Sequence, residues 1–235
     1  MITAQNPLEE YFNFAVASSL VLFGFDGEEL SILLTKKSHE PFLDAYILPG
    51  KYIRPNEGND AVMHQLLSEK VGVNPNSIYL EQLKAFTKVF RNPMGRVINV
   101  AYYALVKLTP EVKAHSKKFG GDWIPYNKIP DLAFDHNDII VYAKERLKRR
   151  VKRRPVGFNL LPQEFTISQL QTIYEKALNR ELDKRNFRKK IFNSNLIIES
   201  GNYTDPNLYR KISKLYRFDE EKYEKMTLKG YDFLF

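Results

Sequence analysis

Residues Leu48 to Val73 read LPGKYIRPNEGNDAVMHQLLSEKVGV. Pro49-Gly50 marks a turn, Glu57 follows in a polar segment, and Asn59–Val71 has helical spacing, with Ala61, Val62, Leu66 and Val71 on one side. Positions 66, 69 and 70 lie three and four residues apart, so they share a helix face. Carboxylates there, with Glu57, would gather a divalent cation through oxygen ligands. The cation would polarise a phosphate and acidify an attacking water. This sequence instead offers Leu66, Glu69 and Lys70.

Outward from this stretch, strands and helices interleave. SLVLFGFD (18–25) and ELSILLTK (29–36) are apolar runs separated by Asp26-Gly27, a hairpin signal. AYIL (45–48), residues 78–90, residues 96–108 and DWIP (122–125) are further strand candidates. HNDIIVYAKERLKRRVKRR (136–154) reads as a helix stopped by Pro155. The expectation is an α/β (α+β) layered domain over residues 1–150. A second domain, 151–235, begins near RLKRRVKRR (146–154), where seven of nine residues are basic. That run reads as a domain joint and a phosphate-facing surface, or as a solvated helix end.

The net charge of +8 is uneven: residues 1–150 hold 19 Lys and Arg against 17 acids, residues 151–235 hold 17 against 11. A basic small domain suits a polyanion, although a solvated surface gives the same count. There is no cysteine, which excludes disulfides and thiolate metal sites. The apolar run Phe12–Phe25 is too short for a bilayer span and follows Glu9 and Glu10 rather than basic residues. It reads as a buried strand in a cytoplasmic protein with no membrane partner.

In the C-terminal part, Thr166 and Gln169 form a capping box before the apolar stripe Ile167, Leu170, Ile173, Tyr174, Ala177, Leu178. Asp183 caps a second helix that buries Phe187 and Ile191 and turns Arg185, Asn186, Arg188 and Lys189 outward. LIIES and KLYRF then flank a polar segment with Gly201, Asp205 and Pro206, a hairpin with Arg210 and Lys211 on its return arm. Helix-turn-helix plus hairpin is a winged helix, and the alternative is a helical interaction module with a basic face. Thr166, Ser168, Lys184, Arg185, Asn186, Arg188, Lys189, Arg210 and Lys211 are the candidate DNA contacts.

Residues 51–73 resemble the Nudix box, G-x5-E-x7-R-E-U-x-E-E-x-G-U, in which U is a bulky apolar residue. Glu57, Leu67, Glu69, Gly72 and Val73 match it. Lys51, Gln65, Leu66 and Lys70 depart from it. With PFLDAYILPGKYIRPNE, QLKAFTKVFRNPMGRVINVAYYAL, LAFDHNDII and residues 158–192, the chain is similar to the Nudix-related transcriptional regulators over residues 10–235. The resemblance implies a Nudix-like α/β/α sandwich with a mixed sheet, followed by a winged helix that binds double-stranded operator DNA, in a homodimer. It also implies a small-molecule effector, either an NAD-pathway metabolite such as ADP-ribose or a sugar such as arabinose. Lys70 is expected to put a positive charge where metal would sit, so neither hydrolysis nor a cofactor is expected. Without metal to hold a diphosphate, an uncharged sugar is the favoured effector. Tyr46, Lys51, Tyr52, Arg54, Glu69, Asp135 and His136 are its candidate contacts. The competing readings are a Nudix hydrolase of ADP-ribose-like compounds and an RNA-binding module. The latter lacks an aromatic ribonucleoprotein motif.

Overall fold

The computed structural model describes residues 13–206 and 212–228. In chain order the first domain holds β1 (Ala15–Phe25), β2 (Leu30–Lys36), β3 (Tyr46–Ile47), β4 (Gly50–Tyr52), α1 (Asn59–Val71), β5 (Tyr79–Phe86), β6 (Val97–Lys107), α2 (Pro110–Lys118), β7 (Gly121–Pro125) and α3 (His136–Arg153). The seven strands form one mixed sheet. β1 runs parallel to β6 along its length, from Ala15 beside Val97 to Phe25 beside Lys107. Its other side is shared: β4 pairs antiparallel with Ala17–Ser19, and β2 with Phe23–Phe25. β7 and β3 lie on β2, and β5 closes the far edge on β6.

Side-chain alternation along β1 builds both layers. Leu20 and Leu22 pack with Val62, Met63, Leu66, Leu67 and Val71 of α1. Val21 and Phe23 pack with Ile139, Ile140, Ala143 and Leu147 of α3. A strand buried on both faces needs an unbroken apolar run, which is how residues 18–25 read. Ala61 is exposed, and the buried stripe of α1 includes Met63 and Leu67 instead.

The strand expected over 78–90 ends at Phe86. Residues 88–95 turn back, with the Arg91 amide donating to the Lys88 carbonyl and the Met94 amide to Asn92 Oδ1. Pro93 in this stretch cannot donate to a ladder. The short helix α2 is an addition to the expected elements. Its Thr109 hydroxyl accepts from the Val112 amide, and Pro110 sits in its first turn.

α3 runs past residue 150 to Arg153, and its C-terminal turn carries Val151 into the core of the next domain. Its basic face is partly internal. Arg146 Nη1 lies 2.6 Å from Glu81 Oε1, Arg150 Nη2 2.6 Å from the same oxygen, and Arg150 Nε 2.9 Å from Oε2. The Tyr79 and Tyr103 hydroxyls also donate to Glu81. Burial opposes ionisation of Glu81, but the bonds from Arg150, the two tyrosines and Arg146 outweigh it and hold the carboxyl at about 2. Two of the seven cations taken for a phosphate-facing run thus fasten α3 to β5.

After a short 310 turn (Val156–Leu160), the second domain consists of α4 (Ile167–Leu178), α5 (Lys184–Asn193), β8 (Ile197–Tyr203), β9 (Lys214–Phe218) and α6 (Glu220–Thr227). β8 and β9 are antiparallel, and Phe165 bridges to Tyr216 as a third short rung. One continuous apolar cluster links Leu147 and Val151 through Phe158 and Leu160 to Leu170, Tyr174, Phe187 and Ile191. Lys176 of α4 also reaches Glu29 of the first domain, 3.1 Å away.

Candidate effector cavity and DNA-binding face

A cavity of about 360 Å³ opens where β4 and β2 diverge from β1, beside the start of α3. Its wall on β1 is small: Ala17, Ser18 and Ser19. Asn99 of β6 donates to Ser19 Oγ at 2.8 Å, and Ser18 Oγ donates to Asn59 Oδ1 at 2.9 Å. Lys37, Lys51 and Arg91 bring three basic side chains to the lining. His39, Tyr52, Asn92, Phe134 and His136 also contribute, and among the described residues no carboxylate does.

His136, on the first residue of α3, accepts the Leu48 amide at Nδ1 over 3.0 Å. Burial pushes its pKa down to about 4, so the ring is neutral near pH 7 and its proton sits on Nε2. Asp135 is the N-cap residue of α3 but makes no side-chain cap bond. It instead holds Arg91 in a two-pronged pair, with Nε to Oδ2 at 2.9 Å and both side chains almost fully buried. That pair fixes the 88–95 turn against α3, which places Arg91 and Asn92 at the cavity.

The Nudix-box residues are arranged differently from the expectation. Lys70 points away: its Nζ donates to the Phe119 carbonyl beyond α2, at 3.3 Å. The cation among the box acids is Lys51, with Nζ 3.2 Å from Glu57 Oε1 and 2.5 Å from Gln65 Oε1. Gln65 Nε2 passes the chain on to Glu69 Oε1 at 2.6 Å. The Arg54 amide holds the other Glu57 oxygen at 3.1 Å, and that bond, then Lys51, keeps Glu57 below the usual carboxylate range. Leu66 is 4% exposed and is a core side chain. Gly72 still closes the box: it caps α1 at φ 72°, and a Cβ there would meet the His115 ring at 2.8 Å.

A divalent cation, which the Nudix fold implies, does not fit these residues. Its helix ligand positions hold a buried leucine and a lysine bound elsewhere. The two remaining acids are already bonded to an ammonium and an amide.

Of the seven candidate effector contacts, Lys51, Tyr52 and His136 line the cavity. Tyr46 does not, because its hydroxyl turns to Asp122 Oδ2 at 3.2 Å, on the β7 side. Arg54 offers its backbone to Glu57, Glu69 binds Gln65, and Asp135 acts through Arg91. Ser18, Ser19, Lys37, Arg91, Asn92 and Asn99 escaped the sequence reading. The available signal was AVASS (15–19), small and polar residues opening a run of otherwise bulky strand residues.

In the second domain Thr166 is buried, and its hydroxyl accepts the Gln169 amide at 3.1 Å while Gln169 Oε1 accepts the Thr166 amide at 2.9 Å. Thr166 therefore completes a capping box and keeps 8% of its surface exposed. Ser168 is exposed one residue into α4. On α5, Asp183 caps the Asn186 amide at 2.8 Å, Phe187 and Ile191 are buried, and Lys184, Arg185, Asn186, Arg188 and Lys189 form an exposed face. Arg188 lies over the Phe192 ring, 5.7 Å from its centre. In the hairpin Lys214 pairs with Glu199 at 3.0 Å. Arg210 and Lys211 lie outside the described residues. Among the described residues no helix is long and apolar enough to cross a membrane.

An αβα sandwich of this topology joined to a winged helix with a basic second helix defines a DNA-binding regulator built on a Nudix fold. Residues 157–218 match the family model of the NrtR DNA-binding winged helix domain. The chain is 29% identical over 236 residues to the "ADPR responsive transcriptional repressor NtrR" of Acinetobacter baylyi, covering 99% of this chain and 90% of that protein. It superposes on the crystal structure of Shewanella oneidensis NrtR complexed with a 27mer DNA with a TM-score of 0.75 at 28% identity, covering 86% and 93% of the two chains. Over 117 residues, half of this chain and 68% of the relative, it is also 29% identical to an ADP-ribose pyrophosphatase of Methanocaldococcus jannaschii. The chain is a Nudix-related transcriptional regulator with a C-terminal winged helix.

Proposed function

We propose that this regulator is a repressor whose first domain, residues 1–150, binds ADP-ribose or a closely related anionic nucleotide without hydrolysing it. Residues 151–235 bind operator DNA. The observation that carries the effector is the cavity lining: Lys37 held by the His39 and Glu40 carbonyls, Arg91 and Lys51 each anchored by an acid outside the lining, hydrogen-bond donors from His136 and Asn99, aromatic faces from Tyr52 and Phe134, and, among the described residues, no carboxylate. Such a lining favours a polyanion over a neutral molecule. The Acinetobacter relative, an ADPR responsive transcriptional repressor, supports the same choice. The sugar effector finds no support among the relatives. Its premise, that a pocket without metal cannot hold a diphosphate, does not hold for a cavity that carries Lys37, Lys51 and Arg91 in its own lining.

The hydrolase reading has the pyrophosphatase relative in its favour, but that likeness covers half of this chain. Leu66 in the core and the bonded Glu57 and Glu69 count against turnover. On α5 the exposed Lys184, Arg185, Asn186, Arg188 and Lys189 would enter the major groove. A homodimer would match a two-fold operator. The test is a gel shift with DNA from upstream of the protein's own gene, titrated with ADP-ribose and with L-arabinose. ADP-ribose should release the DNA and be recovered intact in the presence of Mg²⁺. Release by arabinose alone would overturn the effector, and conversion to AMP would overturn the lack of hydrolysis.

A further inference from the structure

We infer that the Lys51 ammonium is the resident cation of the effector site: it stands among the Nudix-box acids where the fold otherwise needs a divalent metal, and it offers its remaining N–H to an anionic group of the effector. This rests on the effector reading above and adds that binding is independent of metal.

Lys51 sits at the junction of two environments. On one side Glu57 and Gln65 take two of its three donors, and through Gln65 it is linked to Glu69. On the other side Lys51 lines the cavity. Its stem starts on β4, whose pairing with Ser18 and Ser19 of β1 forms the cavity wall, so the strand that carries the charge is also part of the pocket. The Glu57 carboxylate is itself pinned by the Arg54 amide, which makes it a fixed anchor rather than a mobile partner. The residues that would have required a metal are otherwise engaged, Leu66 in the core and Lys70 on the Phe119 carbonyl. An ammonium held between two acceptors, on a residue that lines a cavity with no carboxylate among its described residues, does the part of a metal's work that concerns holding an anion once its third donor turns to the effector. It does none of the part that activates water, which fits a sensor.

The test uses the full chain. Mn²⁺ is titrated into the wild type and followed by electron paramagnetic resonance. ADP-ribose is titrated calorimetrically in EDTA and in MgCl₂ into the wild type, Lys51→Gln and Lys51→Arg. Lys51→Gln keeps a polar side chain but removes the charge, and circular dichroism verifies folding of both variants. The expected result is no sub-millimolar Mn²⁺ site and wild-type affinities equal within about twofold in the two buffers. Lys51→Gln should bind about tenfold or more weakly in both, with most of the loss restored in Lys51→Arg. A tight Mn²⁺ site, a wild-type affinity that needs Mg²⁺, or a folded Lys51→Gln that binds like the wild type would overturn the inference. If the wild type ignores ADP-ribose in every buffer, the effector reading fails. Inorganic pyrophosphate then decides the lysine alone: weaker binding to Lys51→Gln upholds it, and an equal response overturns it.

Discussion

Replacing Glu81 with glutamine tests how α3 is held. In the folded protein the carboxyl ionises at about 2 rather than at the ordinary 4.5. At 1.36 kcal/mol for each tenfold change in proton affinity, that difference corresponds to roughly 3 kcal/mol. Glu81, Arg146 and Arg150 keep 15%, 23% and 32% of their side-chain surface in solvent, so screening trims the figure to about 2 kcal/mol. Glutamine preserves the shape and one acceptor, leaving the charge as the main loss. For a chain of this length the Tm should fall by about 4–8 °C at pH 7. The sign of the pH dependence follows from the lowered pKa. The folded state favours the ionised carboxyl, so the stabilisation is complete above pH 4.5 and is lost as the pH falls toward 2. Thermal or urea unfolding of both proteins between pH 7 and pH 3 should therefore show their difference closing in acid. A difference that stays constant down to pH 3, or one that widens, would refute the electrostatic account and leave only a packing effect.

Four further outcomes are expected. Arg185→Ala and Arg188→Ala should each weaken operator binding and lower the slope of log affinity against log salt by about 1 if each touches a phosphate, with ADP-ribose binding unchanged. Because burial holds His136 neutral down to about pH 4, its contribution, on the order of 2–3 kcal/mol, should be complete above pH 6.5 and fade as acid protonates the unfolded chain; His136→Gln should flatten that part of the stability profile. Thr166→Ala should cost about 1 kcal/mol through the lost cap, and DNA binding measured well below the Tm should not change. Leu66→Glu, which restores an acid to the box, should give no hydrolysis and a loss of about 3 kcal/mol or more, since the carboxylate enters the core; Mg²⁺-dependent release of AMP would contradict this.

What the sequence disclosed follows from the range of the interactions concerned. The helix caps at Thr166 and Asp183, the apolar run of residues 18–25 and the burial of Phe187 and Ile191 depend on neighbours within one or two turns, and they were legible. The cavity depends on pairs far apart in the chain: Leu48 with His136, Arg91 with Asp135, Ser19 with Asn99. No local pattern announces such pairs. Tyr46 illustrates the limit from the other direction. It directly precedes Ile47, which lines the cavity, yet its hydroxyl reaches Asp122. In a strand, neighbours alternate faces, so closeness in sequence to a site is weak evidence of closeness to its ligand.

Lys70 and Lys51 together show what had to be known before the box could be interpreted. Spacing alone puts residue 70 on the face with 66 and 69, where a cation would occupy the metal's position. But a lysine stem of four carbons lets the charge settle wherever an acceptor is nearest. Beside the end of α2, Lys70 finds the Phe119 carbonyl. Lys51 stands at the first position of the box, where the pattern asks for glycine, and its charge reaches the acids instead. The same net substitution, a cation for a metal, is therefore present, but it enters from the strand side rather than from the helix. That difference bears on the proposed effector. A charge rising from α1 would only have neutralised the acids, whereas the charge on β4 belongs to a residue that also lines the cavity. The loss of the metal site and the retention of an anion site are then compatible, and the step from missing carboxylates to an uncharged ligand no longer follows.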